Sequence, residues 1–231
     1  MPQNPTATSL TIDERTRRNE RVRRSYEKQA PRYDKAMGFV ERRAPWPRTP
    51  QLGVLTNHRS DPRGRDRTGL NLTHYPASVR LTGIDLSPEM LAIADQRATS
   101  LQRDVDLHEG DAHELPFDDA TFDSVVCTYS LCNIPDPQLA VAEMTRVLRH
   151  GGNLILVDHI RSSVTPILWL QRAIEFVTVR LEDEYMTRRP LEHVQALGLH
   201  VTERDRMRAG LVERLTAINP NGHEPRPRSN D

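Results

Sequence analysis

Apolar and polar positions alternate most legibly in Val79 to Met90, VRLTGIDLSPEM, which reads as a buried strand ending on Asp85 and running straight into a helix over Met90 to Ala98. Ser87 stands as the N-cap, Pro88 in the first helical turn, and Glu89 where the helix dipole favours an acid. Gly83 lets a second backbone come close to the strand. Val105 to Glu109, VDLHE, is a short alternating strand that stops at Gly110-Asp111. After a turn over Asp118 to Thr121, Phe122 to Cys127 begins an apolar strand that continues towards Tyr129. Pro135-Asp136-Pro137 opens a helix with Leu139, Ala142, Met144, Val147 and Leu148 apolar and Gly151-Gly152 as its expected stop. Leu154 to Val157 is apolar throughout, the mark of a strand covered on both faces. Strand and helix therefore alternate from Val79 to His159, which predicts right-handed crossovers and a parallel sheet.

On either side of this block the pattern changes. Asp13 to Arg43 is helical in composition, and Tyr26, Ala30, Tyr33 and Met37 recur at helical spacing, interrupted by Pro31, as a lid over a pocket or as plain core. Ile167, Leu170, Ile174, Val177 and Leu181 form one helical stripe that Trp169, Ala173 and Phe176 widen, so this helix is expected to pack on the sheet or to roof an apolar pocket. Thr187 to Leu197 reads as a short helix ending at Gly198, and His200 to Met207 with Leu211 to Ile218 as a closing hairpin around Ala209-Gly210. Ala44 to Arg67 has no usable periodicity and reads as loop, although so long a loop inside a compact domain argues against a simple reading. The expected organisation is one domain over 13–219, with disordered tails at 1–12 and 220–231.

Composition narrows the partners. Thirty-two basic and thirty-two acidic residues cancel in a chain of 231, so no overall field steers it to nucleic acid or to an anionic membrane. The arginines between Arg15 and Arg24 are interleaved with acids and read as a solvated helix face, with an acidic partner or a lipid headgroup as the sharper alternative; peripheral membrane contact has no further support. Cys127 and Cys132 do not make a disulfide framework, the histidines show no metal spacing, and no apolar run is long enough to span a bilayer. The first residues lack a basic-then-apolar signal, and a cytoplasmic soluble protein is the expectation.

Asp85 and Asp111 both sit at the carboxyl ends of strands, where ligands bind in open α/β sheets. A carboxylate at the first of these places can accept both hydrogen bonds of a ribose diol, or it can merely cap the turn.

TGLN, LTGIDLSPEML, EGDAHELPF, FDSVVCTYSLCNI and EMTRVLRHGGNLILVDH, in this order, resemble the class I S-adenosylmethionine-dependent methyltransferases of the type 11 group, and within it the branch of quinone, phospholipid and small thiol methyltransferases. The resemblance covers about Tyr26 to Asn219 except Ala44 to Arg67. It implies a Rossmann-like, doubly wound, mostly parallel seven-stranded α/β sheet and S-adenosyl-L-methionine as cofactor. It further implies Asp85 on the ribose hydroxyls, Leu86 and Met90 against the adenine, Asp111 at the adenine amino group, Ala112 in a backbone contact, Gly69 in the remnant of the glycine loop, and Thr128 and Ser130 beside the methionine portion. Tyr26, Tyr33, Asn133 and Trp169 would border a pocket for a small apolar or amphipathic acceptor carrying a thiol, hydroxyl or amine. A sulfonium methyl is already activated, so positioning carries much of the rate and a general base is optional for a thiol. His159 is the candidate base, against a structural histidine bonded to backbone. A nicotinamide dehydrogenase is disfavoured because no G-x-G-x-x-G is present.

The chain departs from that family where the first strand and its glycine loop belong. Only Thr68-Gly69-Leu70-Asn71 remains, preceded by Asp61-Pro62-Arg63-Gly64-Arg65-Asp66-Arg67. With suitable codons a one-base shift turns the latter into Thr-Leu-Glu-Val-Ala-Thr-Gly, the missing strand, acid and glycine, so Ala44 to Arg67 reads as a frame-shifted segment and the first strand is expected to be lost or irregular. The competing reading is an impaired methyltransferase fold that binds a ligand or partner without turnover.

Overall fold

A computed structural model describes residues 10–43, 53–56, 72, 75, 76, 78–207 and 210–220, with side chains described for all of these except 29–43, 53–56, 181 and 182. Residues 1–9 and 221–231 of the expected disordered tails, Asp61 to Arg67 and Gly69 lie outside the described residues, while α1 already begins at Ile12 within the expected first tail. The elements are α1 (Ile12–Arg43), β1 (Gly53–Thr56), β2 (Leu81–Asp85), α2 (Pro88–Ser100), β3 (Val105–Glu109), β4 (Phe122–Thr128), α3 (Pro137–Arg146), β5 (Leu148–His159), α4 (Thr165–Glu182), α5 (Pro190–Ala196), β6 (His200–Met207) and β7 (Val212–Ile218). Seven strands form one sheet in the order β3-β2-β1-β4-β5-β7-β6.

Local signals place most of these elements. Ser87 Oγ accepts from Met90 N at 3.3 Å with Pro88 behind it, and Asp136 Oδ1 accepts from Leu139 N at 3.1 Å with Pro137 behind it, so both helices start at the residues that satisfy their first free N–H groups. α1 runs through Pro31 without a break. One correction concerns Gly151-Gly152. They do not stop α3, which ends at Arg146; they lie inside β5, where the pairing with β4 slips between Phe122 and Ser124 and Gly151 has φ 70. A Cβ on Gly152 would meet the carbonyl oxygens of Arg149 in β5 at 2.9 Å and of Asp123 in β4 at 3.1 Å, so glycine is what lets the two strands approach there.

Helices cover both faces of the sheet. Val141, Met144 and Val194 of α3 and α5 pack with Phe122, Val125, Leu154 and Leu215 on one side. Ala94 and Ala98 of α2 pack with Leu81, Val126 and Leu72 on the other. This is the doubly wound α/β arrangement, with β2, β3, β4 and β5 parallel and the β6–β7 hairpin antiparallel.

The first-strand position is filled, but irregularly. Within the stretch read as loop, Gly53 to Thr56 forms a four-residue strand between β2 and β4, antiparallel to both. The backbone ladders on either side are therefore paired rather than left open, a correction to the loop reading. Gly53 lies opposite Ile84 and Thr56 opposite Leu81 and Ser124, so β1 starts at the carboxyl ends of its neighbours and leaves at their amino ends.

A third correction concerns α4. Its inward side is polar: Gln171 is buried, accepts from Ser162 N at 2.8 Å and donates to the carbonyls of Ile160 and Met186 at 2.9 and 3.3 Å. Glu175 accepts from Thr187, and Thr178 donates to the carbonyl of Glu184. The apolar stripe points the other way, with Trp169 66% and Phe176 62% exposed, so it neither packs on the sheet nor roofs the pocket.

Candidate functional site

At the carboxyl ends of β2, β3 and β4 a cavity of about 110 Å³ is enclosed by the loops that follow these strands and by α1. Its walls are Ile84, Asp85 and Leu86 after β2, Gly110 to His113 after β3, Ser130 and Asn133 to Pro135 after β4, and Asn19, Val22 and Tyr26 of α1. Gly110 eases a close approach: its N–H donates to the carbonyl of Asp85 at 3.0 Å, and a Cβ there would come within 2.6 Å of the end of the Ile84 side chain, which would have to shift.

Asp85 is held at its strand end by the backbone N–H of Ser87, which donates to Oδ1 at 2.8 Å. Burial pushes its carboxyl up to about 7, against the downward pull of the Ser87 and Leu86 N–H groups. Asp111 has the opposite character. Burial pushes it up as well, but the side chain and backbone N–H of His113 and the amide of Asn19 together hold it below the usual carboxylate range. The distances are 2.6 Å from His113 Nδ1, 2.9 Å from His113 N and 2.6 Å from Asn19 Nδ2. His113 Nε2 accepts from Asp136 N at 3.1 Å, which fixes the tautomer with the proton on Nδ1. A relay thus runs from the N-cap of α3 through a buried histidine to the acid after β3.

The loop after β4 is pinned from three directions. Arg188 donates to the carbonyls of Leu131 and Ile134, Tyr185 N donates to the carbonyl of Cys132 at 2.9 Å, and Cys132 N donates to Asp158 at 3.2 Å.

Of the residues expected at the site, Asp85, Leu86, Asp111, Ala112, Ser130, Asn133 and Tyr26 come together on this cavity. Met90 is buried below it with Tyr26 packed against it, and Thr128 is buried in β4; neither lines the cavity. His159 is half-buried beside Tyr129, ring centroids 4.9 Å apart, and Trp169 faces outward on α4; both stand off the cavity wall. The side chain of Tyr33 lies outside the described residues, as does Gly69. Asn19, Val22, His113 and Arg188 were not singled out from sequence; His113 follows Asp111 by two residues, the only local hint among them.

Cys132, Asp158 and His159 bring their donor atoms within 4.8 Å of one another. Burial pushes both Asp158 and Cys132 up, which disfavours their anionic forms, and Asp158 already accepts from the N–H groups of Cys132 and His159. The group fits a buried structural knot better than the anionic ligand set of a metal.

The strand-end carboxyls of Asp85 and Asp111 and the apolar side chains of Ile84, Leu86 and Ala112 border this cavity together, a mixed lining of the kind that holds a small organic ligand.

Residues 67–156 match the family model described as a methyltransferase domain. The chain is 39% identical over 109 residues to a phosphatidylethanolamine N-methyltransferase of Cereibacter sphaeroides, covering 46% of this chain and 54% of that protein. It is 39% identical over 89 residues to a demethylmenaquinone methyltransferase of Deinococcus radiodurans, covering 38% and 37% respectively. The chain thus spans about half the length of the first relative and little more than a third of the second. Among solved structures it resembles the [4+2]-cyclase SpnF, with TM-score 0.51, 20% identity and coverage of 61% of this chain and 66% of that one. It also resembles the PH0226 protein of Pyrococcus horikoshii, with TM-score 0.51, 18% identity and coverage of 65% and 76%. At these identities the likeness concerns the fold.

Proposed function

We propose that the chain transfers a methyl group from S-adenosylmethionine to a small apolar or amphipathic acceptor, a reading supported by the match of residues 67–156 to the methyltransferase domain model. The observation that carries this reading is the pair of strand-end carboxyls, Asp85 and Asp111, lining one cavity. Asp85 would accept from the ribose hydroxyls, Asp111 from the adenine amino group, and Ile84, Leu86 and Ala112 would hold the base between them. The cofactor supplies an activated sulfonium methyl when bound. The task left to the chain is to hold an acceptor in line with it and to exclude water. Ser130 and Asn133, on the loop that Arg188 pins, would serve the first of these, and Val125, Ile134 and Met144 the second; all five line the cavity.

Base chemistry is poorly provided for. Among the described residues of the cavity wall the titratable side chains are Tyr26, Asp85, Asp111, His113 and Cys127, and a phenol is an acid rather than a base near neutral pH. The two acids are engaged as above, both nitrogens of His113 are committed to hydrogen bonds, and burial pushes Cys127 up to about 12. An acceptor that attacks without help, a thiolate or an amine, therefore suits the cavity better than an alcohol. The names of the relatives, one a phospholipid and one a quinone methyltransferase, support an amphipathic acceptor.

The test is calorimetric titration with S-adenosylmethionine, followed by a methyl-transfer screen over apolar thiols, amino-lipids, phenols and quinols. Turnover confined to highly charged acceptors would overturn the acceptor class. A second reading, a fold that binds without turnover, is favoured by the reversed β1: it carries the chain from the carboxyl ends of β2 and β4 to their amino ends, so its own end does not deliver a loop to the cavity. Cofactor binding without methyl transfer to any acceptor would support that reading.

A further inference from the structure

The helix α4 is built inside out, and its first turn borders a second cavity. Pro166, Trp169, Leu170, Ala173, Ile174 and Val177 recur at the i, i+3, i+4, i+7 spacing of one helix face, and that face is in solvent. Arg180 Cζ lies 3.6 Å over the Phe176 ring and Arg172 Cζ 5.9 Å over that of Trp169, so each cation rides on an exposed aromatic. Glu175 is turned inward onto Thr187, and no acid stands on the outer face among the described side chains.

The second cavity, of about 420 Å³, lies between the start of α4, the end of β5, α5 and the β6–β7 hairpin. Five arginines line it, Arg161, Arg188, Arg189, Arg204 and Arg206, against two glutamates. Arg204 and Arg206 share the buried carboxylate of Glu213 at 2.7 and 2.9 Å, and Arg189 pairs with Glu192 at 2.6 Å. The guanidinium of Arg161 has no hydrogen bond or ion pair among the described residues. Positive charge is therefore in excess.

From these two features we propose that α4 docks on an anionic bilayer surface, its apolar face in the headgroup–acyl boundary and a lipid phosphate in the arginine-lined cavity. An amphipathic helix with large apolar side chains and arginine at the rim binds such a surface by combining buried apolar area with attraction to anionic lipid. A second copy of the chain is the weaker occupant. Residues 166–177 make a face only about 18 Å long, a few hundred Å² at most and short of the about 800 Å² per partner of a stable interface. α1 touches both places: Arg21 pairs with Asp183 at 2.8 Å just beyond α4, while Asn19, Val22 and Tyr26 wall the first cavity. The inference does not rest on methyl transfer.

The full chain is incubated with phosphatidylcholine vesicles and with vesicles in which about a third of the lipid is phosphatidylglycerol, and binding is read by co-sedimentation. Expected is affinity at least about tenfold higher for the anionic vesicles, falling steeply in about 0.5 M salt. Trp169→Ser combined with Phe176→Ser removes only exposed side chains and should cost at least about tenfold. Arg161→Gln, which breaks no described contact, should cost about fivefold, the share of one arginine at such a surface. Absence of binding, equal binding to both vesicle types, or no effect of either variant would overturn the proposal. So would a dimer in sedimentation velocity that the double variant dissolves while vesicle binding is absent, because a second copy would then cover the face.

Discussion

Asp85→Asn separates the value of Asp85 to a ligand from its cost to the fold. The substitution keeps the shape and the acceptor for Ser87 N, now at 2.8 Å from Oδ1, but removes the charge. With a folded-state value of about 7, and about 3.9 in the unfolded chain, the folded protein binds more protons than the unfolded one between those two values. Stability contributed by this site therefore falls as pH rises from about 4 to about 7, and the full penalty is present above 7. Three units correspond to about 4 kcal/mol as a ceiling, and a gain of about 1 to 3 kcal/mol on removing the charge is expected after local relaxation. For a chain of this size that is a rise of roughly 3 to 10 °C in Tm at pH 8. At pH 5, where Asp85 is already protonated, the gain should shrink to a small fraction. The same variant should lose about tenfold to a hundredfold in S-adenosylmethionine affinity at pH 8, since hydrogen bonds to a charged acceptor are worth about 1.5 to 3 kcal/mol. Scanning calorimetry at both pH values and titration calorimetry at pH 8 are the assays. A variant less stable at pH 8 than the wild type would refute the burial argument, and unchanged affinity would leave Asp85 a capping acid only.

Two further outcomes are expected. His113→Ala leaves Asp136 N without its acceptor and Asp111 without its strongest partner, so Tm should fall by roughly 4 to 10 °C and cofactor affinity by about tenfold, read by calorimetry; unchanged affinity would make the relay structural only. Placing a Leu-Glu-Val-Ala-Thr-Gly strand and loop ahead of Thr68 in place of the Ala44 to Arg67 segment should raise both Tm and cofactor affinity, and equal values in the two chains would show that the reversed β1 serves as well.

What the sequence determined about this protein is what short stretches determine by themselves. A strand that ends on an acid, followed by Ser-Pro-Glu, closes its own N-cap, and so Asp85 could be placed before any tertiary contact was known; Gly110-Asp111 and Asp136-Pro137 are of the same kind. The doubly wound order follows from alternating strands and helices, because their connections have one favoured hand. Three things were decided only by the tertiary structure. An apolar stripe says that a helix has an apolar face but not what covers it, and the backbone groups that Gln171, Glu175 and Thr178 satisfy turned that of α4 outward. A four-residue strand carries no local mark of direction, so the reversal of β1 depends on ladders to β2 and β4 that lie far along the chain. Asn19 met Asp111 across ninety-two positions of sequence, a contact set by how α1 lies over the sheet and by nothing in the residues around either.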